Sequence, residues 1–319
     1  MIFLKVRNGL GNQLFVYAFG EYLKLKNPNQ IIKYDLTELP DRIDNRVTRD
    51  ISEIFDYSPN IASIDDIKKY QGRYLVKDFR SEDNLSIMNR IFKKLSSLRF
   101  RHDIVVVKEP TFWNIPDSFV HSIINMKIDD YTDYAFDGFW ENINYVLPIR
   151  NELVRKFSFR KSLKSYDHIF ELISKTNSIS VHIRRGDYVK ISSSYSLPRE
   201  NYMMCGEEYY HEAFKIIENE VDNPFFVFFS DDTEYVENTY KNISNKFVVS
   251  GLKDYEDMQL MSICKHHILA NSTFSFWSAF LGNSNGVVIA PKYHYIRYEK
   301  NGCKYKKEFF NMPGWKLLE

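Results

Sequence analysis

The chain has 319 residues, with 43 Lys and Arg against 42 Asp and Glu, a formal charge of +1. At roughly 100–200 residues per domain this length provides for two domains, each able to bury its own core, and excludes a mini-protein held together by disulfides. The balanced charge gives the whole chain no electrostatic reason to seek nucleic acid or an anionic membrane, so any anionic ligand is small and locally bound.

Met1 to Val6 reads as a short apolar strand, followed by the turn Asn8-Gly9-Leu10-Gly11-Asn12-Gln13 and then by a helix. Leu14, Ala18, Tyr22 and Leu25 recur at helical spacing, widened by Phe15, Phe19 and Leu23. Strand, glycine turn and helix open many α/β domains, because glycine lets the backbone turn sharply and approach a ligand or a helix closely. From Tyr34 to Asn114 the pattern is less regular, with Ile104-Val105-Val106-Val107 as its clearest strand. Ile149, Leu153 and Phe157 are helically spaced behind Pro148, and the domain boundary falls near them. Beyond it the pattern sharpens. Ile179 to Ile183 alternates as a strand, Gly206 to Glu220 is helical, and Pro224 to Phe229 is a continuous apolar run, as in a strand covered on both faces. A helix over Asp254–Lys265, a strand over His267–Ala270, a helix over Phe274–Leu281 and a strand over Val287–Ala290 complete the alternation expected of a Rossmann-like half.

In open parallel sheets, ligands sit at the carboxyl ends of the strands, and three of these ends are unusually polar. In Val181-His182-Ile183-Arg184-Arg185-Gly186-Asp187, strand parity turns His182 and Arg184 to the same face. Paired guanidiniums there suit a phosphate, or an ion pair with Asp187 or another acid. Ser230-Asp231-Asp232 could hold a divalent metal, accept hydrogen bonds from a ring N–H, or cap a helix. Asn271-Ser272-Thr273-Phe274-Ser275 leads a strand into an apolar helix, whose free N–H groups favour an anion or a capping hydroxyl. Gly9-Leu10-Gly11 begins a dinucleotide fingerprint, but Leu14 occupies its third glycine position, which disfavours an NAD enzyme. There is no Walker A sequence and no His/Cys cluster at metal-ligand spacing. Cys205, Cys264 and Cys303 include no CxxC pair, the first residues lack the pattern of a signal peptide, and no run of about 18 apolar residues occurs. The expectation is a cytoplasmic protein without a transmembrane segment, which allows peripheral association with the inner face of the membrane.

Together these blocks resemble the bacterial α-1,2-fucosyltransferases of glycosyltransferase family 11. The resemblance runs through Gly9 to Phe15, Asp137-Gly138-Phe139-Trp140, His182 to Tyr188, Phe226 to Asp232 and Asp257 to Phe280. Asn8 stands where the family usually has a glycine, and Gly138-Phe139-Trp140-Glu141 replaces Gly-Tyr-Trp-Gln. The resemblance implies an α/β, GT-B-like fold of two Rossmann-like domains facing a cleft: residues 1–150 on the acceptor side, residues 151–319 holding the donor. It further implies inverting transfer of L-fucose from GDP-β-L-fucose to the 2-hydroxyl of a galactose-terminated glycan, with no cofactor and no essential metal. Arg184 then meets the leaving phosphate, assisted by Arg185 and the helix start formed by Ser272, Thr273, Phe274 and Ser275. His182 positions the nucleotide, Asp231 or Asp232 reads guanine, and Gly11 and Asn12 border the site. Asp187 takes the acceptor proton or holds Arg185. Fucosyltransferases of α-1,6 or protein-O type look similar at the arginine motif. A catalytically silent glycan-binding protein would have no use for the guanidinium pair.

Overall fold

The computed structural model describes residues 1–39, 51–71, 75–77, 104–110, 115–160, 167–186, 205–282, 285–298 and 304–319. Contacts divide them into two compact units. The first takes Met1–Asn8, Asn12 to Leu39 and Ser58 to Ile149; the second takes Gly9–Gly11, Ile51 to Tyr57 and Arg150 to Glu319.

The first unit is built on a five-stranded parallel sheet of β1 (Ile2–Lys5), β2 (Ile32–Asp35), β3 (Leu75–Lys77), β4 (Ile104–Lys108) and β5 (Asp133–Asp137), in the order β2-β1-β5-β4-β3. The helix Leu10–Lys26 is buried almost all round from Gln13 to Leu23, the condition of a helix enclosed by its own core rather than lying on a surface. Leu25, placed on the buried stripe by its spacing, lies in the last turn and is 59% exposed. The sequence pattern separates β1, at Met1 to Val6, and β4, at Ile104 to Val107, whereas β2, β3 and β5 are short and mix apolar with charged residues.

The second unit holds β6 (Asn177–Ile183), β7 (Pro224–Ser230), β8 (Lys246–Val248), β9 (His266–Ile268), β10 (Val288–Pro291) and β13 (Lys316–Leu318) in one parallel sheet, ordered β13-β10-β9-β6-β7-β8. A separate hairpin pairs β11 (Tyr293–Tyr298) with β12 (Lys304–Glu308). The apolar run of β7 is covered on both faces, as its composition predicts. Phe226 and Phe228 join Ile179, Val181 and Ile183 beneath Tyr210, Phe214 and Ile217 of the helix Glu207–Glu220. Val227 and Phe229 pack on the other side against Leu260, Met261 and Cys264. The helix predicted over Asp254–Lys265 ends at Ile263, and the strand predicted over His267–Ala270 spans His266–Ile268. Leu269 and Ala270 instead begin the turn into the next helix.

Three histidines of this unit are buried among the described residues: His182 at the end of β6, and His267 and His294 away from the strand end. His267 is fully buried with Nδ1 2.8 Å from Ser180 Oγ, and burial pushes its pKa down to about 3. His294 is buried as well, and burial holds it well below its ordinary value of 6.5. In the unfolded chain both rings bind a proton near pH 6.5, whereas in the fold they stay neutral to much lower pH. The unfolded state therefore gains protons first as pH falls, and stability is lost between pH 7 and 5. The two rings alone account for a loss of about 2 kcal/mol each at pH 5 relative to pH 7, opposed by Asp257, whose carboxyl pKa is raised by burial to about 7. An NMR titration of the imidazole resonances separates the two effects: His267 and His294 should stay neutral down to pH 5, and a midpoint near 6 for either ring would contradict neutral burial.

Candidate active site

β6 lies between β9 and β7, and the chain leaves its two flanks in opposite directions: from β6 to β7 and β8 on one side, from β9 to β10 on the other. A crevice at the carboxyl ends of the strands is expected at such a reversal. The three polar strand ends singled out from the sequence meet there.

The parallel register pairs Ile183 with Ser230, and Ser230 Oγ donates to the Ile183 carbonyl at 2.8 Å. One residue further on, Arg184 and Asp231 stand side by side, with Nη1 2.7 Å from Oδ2. The other oxygen, Oδ1, accepts the backbone N–H groups of Arg185 and Gly186 at 2.9 and 3.0 Å. A Cβ on Gly186 would lie 2.7 Å from Asp231 Oδ2, so the loop closes this tightly on the carboxylate only with glycine in place. Burial works against ionisation of Asp231, but the Arg184 guanidinium and these N–H groups outweigh it and hold the carboxyl below the usual carboxylate range.

Arg185 has its own frame. Its Nε donates to Asp232 Oδ2 at 3.1 Å, and its guanidinium lies 3.5 Å from the centroid of the Tyr235 ring. Asp232 also caps the helix Thr233–Thr239 by accepting the Tyr235 N–H at 3.0 Å, and the Tyr235 hydroxyl donates to Glu207 at 3.2 Å. Tyr235 and Glu207 carry no motif of their own. The sequence signal available for Tyr235 is its helical offset of three from Asp232.

At the third strand end Ser272 caps the helix Thr273–Leu281, accepting the Phe274 N–H at 3.2 Å. Ser275 Oγ is fully buried and donates to the Ala270 and Ser272 carbonyls, so it supports the turn. Gly11 abuts this helix start: a Cβ there would lie 2.6 Å from both Phe274 N and Thr273 Oγ1. Asn12 groups with the first unit, in the helix Leu10–Lys26. His182 is 6% exposed, its ring centroid 5.5 Å from that of Phe274 and its carbonyl held by the Tyr210 hydroxyl at 2.8 Å. Its Nδ1 is buried and has no hydrogen-bond partner among the described residues. Burial, reinforced by Arg184, lowers its pKa to about 4, so the imidazole is neutral at pH 7. Asp187 lies outside the described residues, as does Cys303.

The fold thus gathers His182, Arg184, Arg185, Asp231, Asp232, Gly11 and Ser272 to Ser275 into one constellation. The two carboxylates offset the formal charge of the two guanidiniums. What the site offers an anion is directed N–H groups, the positive end of a helix and one unsatisfied imidazole nitrogen. Among the described residues, no group of three or more His, Cys, Asp or Glu side chains could hold a metal ion.

The sequence profile of glycosyl transferase family 11 matches residues 1–318. The chain belongs to this family. It is 30% identical over 312 residues to an alpha-1,2-colitosyltransferase of Escherichia coli, covering 94% of each chain. To the O-antigen biosynthesis glycosyltransferase WbnK of the same organism it is 26% identical, over 89% of this chain and 91% of the relative. A galactoside alpha-(1,2)-fucosyltransferase 1 of Ateles belzebuth aligns over 44% of this chain and 41% of its own length at 25% identity. Among solved structures, the fucosyltransferase NodZ from Bradyrhizobium superposes with a TM-score of 0.50 at 12% identity, covering 96% of this chain and 98% of its own. That likeness concerns the fold, which is α/β and GT-B-like with Rossmann-like units. This family 11 protein is a glycosyltransferase, and among its described residues no helix is long and apolar enough to cross a membrane.

The close approach at Gly11 generates a prediction. Gly11→Ala must push the helix start away, which we expect to lower stability by about 1–3 kcal/mol and to speed amide hydrogen exchange at Thr273 and Phe274. Unchanged exchange at those two amides would show that the contact is not made in solution.

Proposed function

We propose that this family 11 glycosyltransferase moves L-fucose from GDP-β-L-fucose to the 2-hydroxyl of a galactose-terminated glycan, with inversion at the transferred carbon. The observation that carries this reading is the arginine frame: two guanidiniums fixed by Asp231, Asp232 and Tyr235 beside a helix N-terminus and an unpartnered imidazole nitrogen. The α-1,2 linkage follows the names of the sequence relatives. The 12% identity to NodZ carries no such information.

In this reading the acceptor oxygen forms a bond to C1 of the sugar as the bond from C1 to the diphosphate oxygen breaks, and the bonding pair leaves with the phosphate. The acceptor proton passes to a general base, the role in which Asp187 is proposed. Negative charge grows on the β-phosphate, where Arg184 donates its N–H groups with help from Arg185 and the Ser272–Ser275 turn. His182, neutral at pH 7, donates or accepts a hydrogen bond without altering the charge. Asp231 is a positioning residue, since its oxygens are engaged by Arg184 and two backbone N–H groups. Asp232, at 36% side-chain exposure against 11% for Asp231, is the acid that retains an accessible edge for a guanine N–H. What supports a metal-free departure is the engagement of both acids by guanidiniums. A cytoplasmic site of action, at the inner face of the membrane, goes with this proposal.

The test is incubation of the full chain with GDP-fucose and a panel of galactosides, chelator present, with the new linkage located by NMR. A product joined at the galactose 2-hydroxyl is expected. A different linkage, or transfer only of a colitosyl group from its GDP donor, would replace the reading. Arg184→Ala and Arg184→Lys should each lower kcat by about 100- to 1000-fold, because an ammonium cannot reproduce the two-pronged guanidinium. Near-full turnover of the lysine variant would remove Arg184 from the role.

A further inference from the structure

The first unit has a concavity of its own, about 210 Å³, at the carboxyl ends of β1, β4 and β5. Its walls include Arg7, Lys108, Glu109, Asp137, Gly138 and Phe139, all within that unit. None of the donor-site residues described above belongs to it.

The local sequence explains how the cavity is built. Asp137 ends β5 and accepts a hydrogen bond from Arg7 Nη2; the same nitrogen lies 3.1 Å from Glu38 Oε2. Arg7 Nε is buried and has no hydrogen-bond partner among the described residues. Glu109 Oε2 accepts the backbone N–H groups of Phe139 and Trp140 at 2.6 and 3.1 Å, which pins the loop after β5. Gly138 is needed there, since a Cβ would meet Glu109 Cβ at 2.5 Å. Trp140 adopts a left-handed backbone, φ 55°, and turns its ring into the core against Phe19, 4.3 Å between centroids. That reversal leaves Phe139 half-buried on the cavity wall, with the Arg7 guanidinium 5.7 Å from its ring centroid.

The chemistry selects a ligand class. The volume lies below the roughly 300–1,000 Å³ of sites for drug-sized ligands, so it suits one ring and not a nucleotide. Two carboxylates, a guanidinium, the Lys108 ammonium and one aromatic face line it, so the formal charges of the lining cancel. Carboxylates accept from hydroxyls, the guanidinium donates to them, and the aromatic face packs against C–H groups. With two cations balanced by Glu109 and Asp137 and no helix start among the lining residues, the cavity has no net positive field to select an anion. We infer that this cavity binds one neutral pyranose ring of the acceptor glycan, stacked on Phe139 and held through its hydroxyls by Arg7, Asp137 and Glu109. Naming the ligand an acceptor rests on the function proposed above; binding of a neutral sugar does not.

The test uses the full chain and methyl β-D-galactopyranoside, with affinity read by titration in saturation-transfer NMR, and GDP affinity measured separately by calorimetry. Phe139→Ala and Asp137→Asn should each weaken galactoside binding at least tenfold and leave the GDP dissociation constant within twofold. Should either variant lose its fold, shown by lost GDP binding, Phe139→Leu decides, because it keeps apolar volume and removes only the ring face. Unchanged galactoside affinity in folded variants overturns the inference, as does absence of galactoside binding to the wild type. If galactoside binds as expected but GDP does not bind the wild type, the donor reading fails and the sugar site stands.

Discussion

The carboxylate of Asp231 is the group on which the carboxyl edge of the second sheet depends. One side chain orients a guanidinium, closes the loop after β6 through two backbone N–H groups, and does so from the end of the neighbouring strand. Removing it would leave two half-buried backbone donors and a guanidinium without their partner, so the elements have little freedom to drift apart. Its own position is set by register: with Ile183 opposite Ser230, the next residues in each strand must lie together. The apolar packing of β7 on both faces holds that register, since a slip of one residue would turn Phe226 and Phe228 toward the wrong layer. Core packing therefore determines where the charges of the site stand.

The same logic operates in the first unit with different chemistry. There the ends of β1 and β5 meet through Arg7 and Asp137, with Lys5 Nζ 3.1 Å from Glu38 as a further link. Both units place charged pairs at the carboxyl edges of parallel strands; among the described residues, the second also sets the capped start of the nine-residue helix Thr273–Leu281 beside them. In the readings proposed above, that difference separates an edge suited to a diphosphate from one suited to hydroxyl groups.

Two left-handed residues shape the loops that carry these groups. Asn8, φ 61°, occupies a position where family members usually have glycine, and asparagine is among the few side chains that tolerate this conformation. Trp140, φ 55°, is bulky, and holding it there costs on the order of 1–3 kcal/mol. Burying its whole ring against Phe19 and Phe136 offsets that strain. Strand β5 and the loop after it were legible only as a motif block, because a strand of five residues flanked by aspartates has no clear period, and the reversal at Trp140 has no sequence signature.

By itself the sequence determined the elements with long or unmixed patterns: β6, β7, the helices Glu207–Glu220 and Thr273–Leu281, and the polar character of the strand ends. Strand parity led to the expectation that His182 and Arg184 share a face, but β6 ends at Ile183, so parity reaches only His182 and the Arg184 side chain is placed by Asp231. Which acid answers which arginine was decided only by tertiary structure. The sequence left Asp187 or another acid open for the arginine pair; among the described residues, which do not include Asp187, Asp232, 47 residues away, holds Arg185 and Asp231 holds Arg184. The alternatives left open for Ser230-Asp231-Asp232 were likewise resolved in part by the fold, which makes Asp232 a helix cap. The physical reason is that ion pairs and caps across a parallel sheet follow from register and crossover. Both are set by burial over the whole core, and no short window of residues contains them.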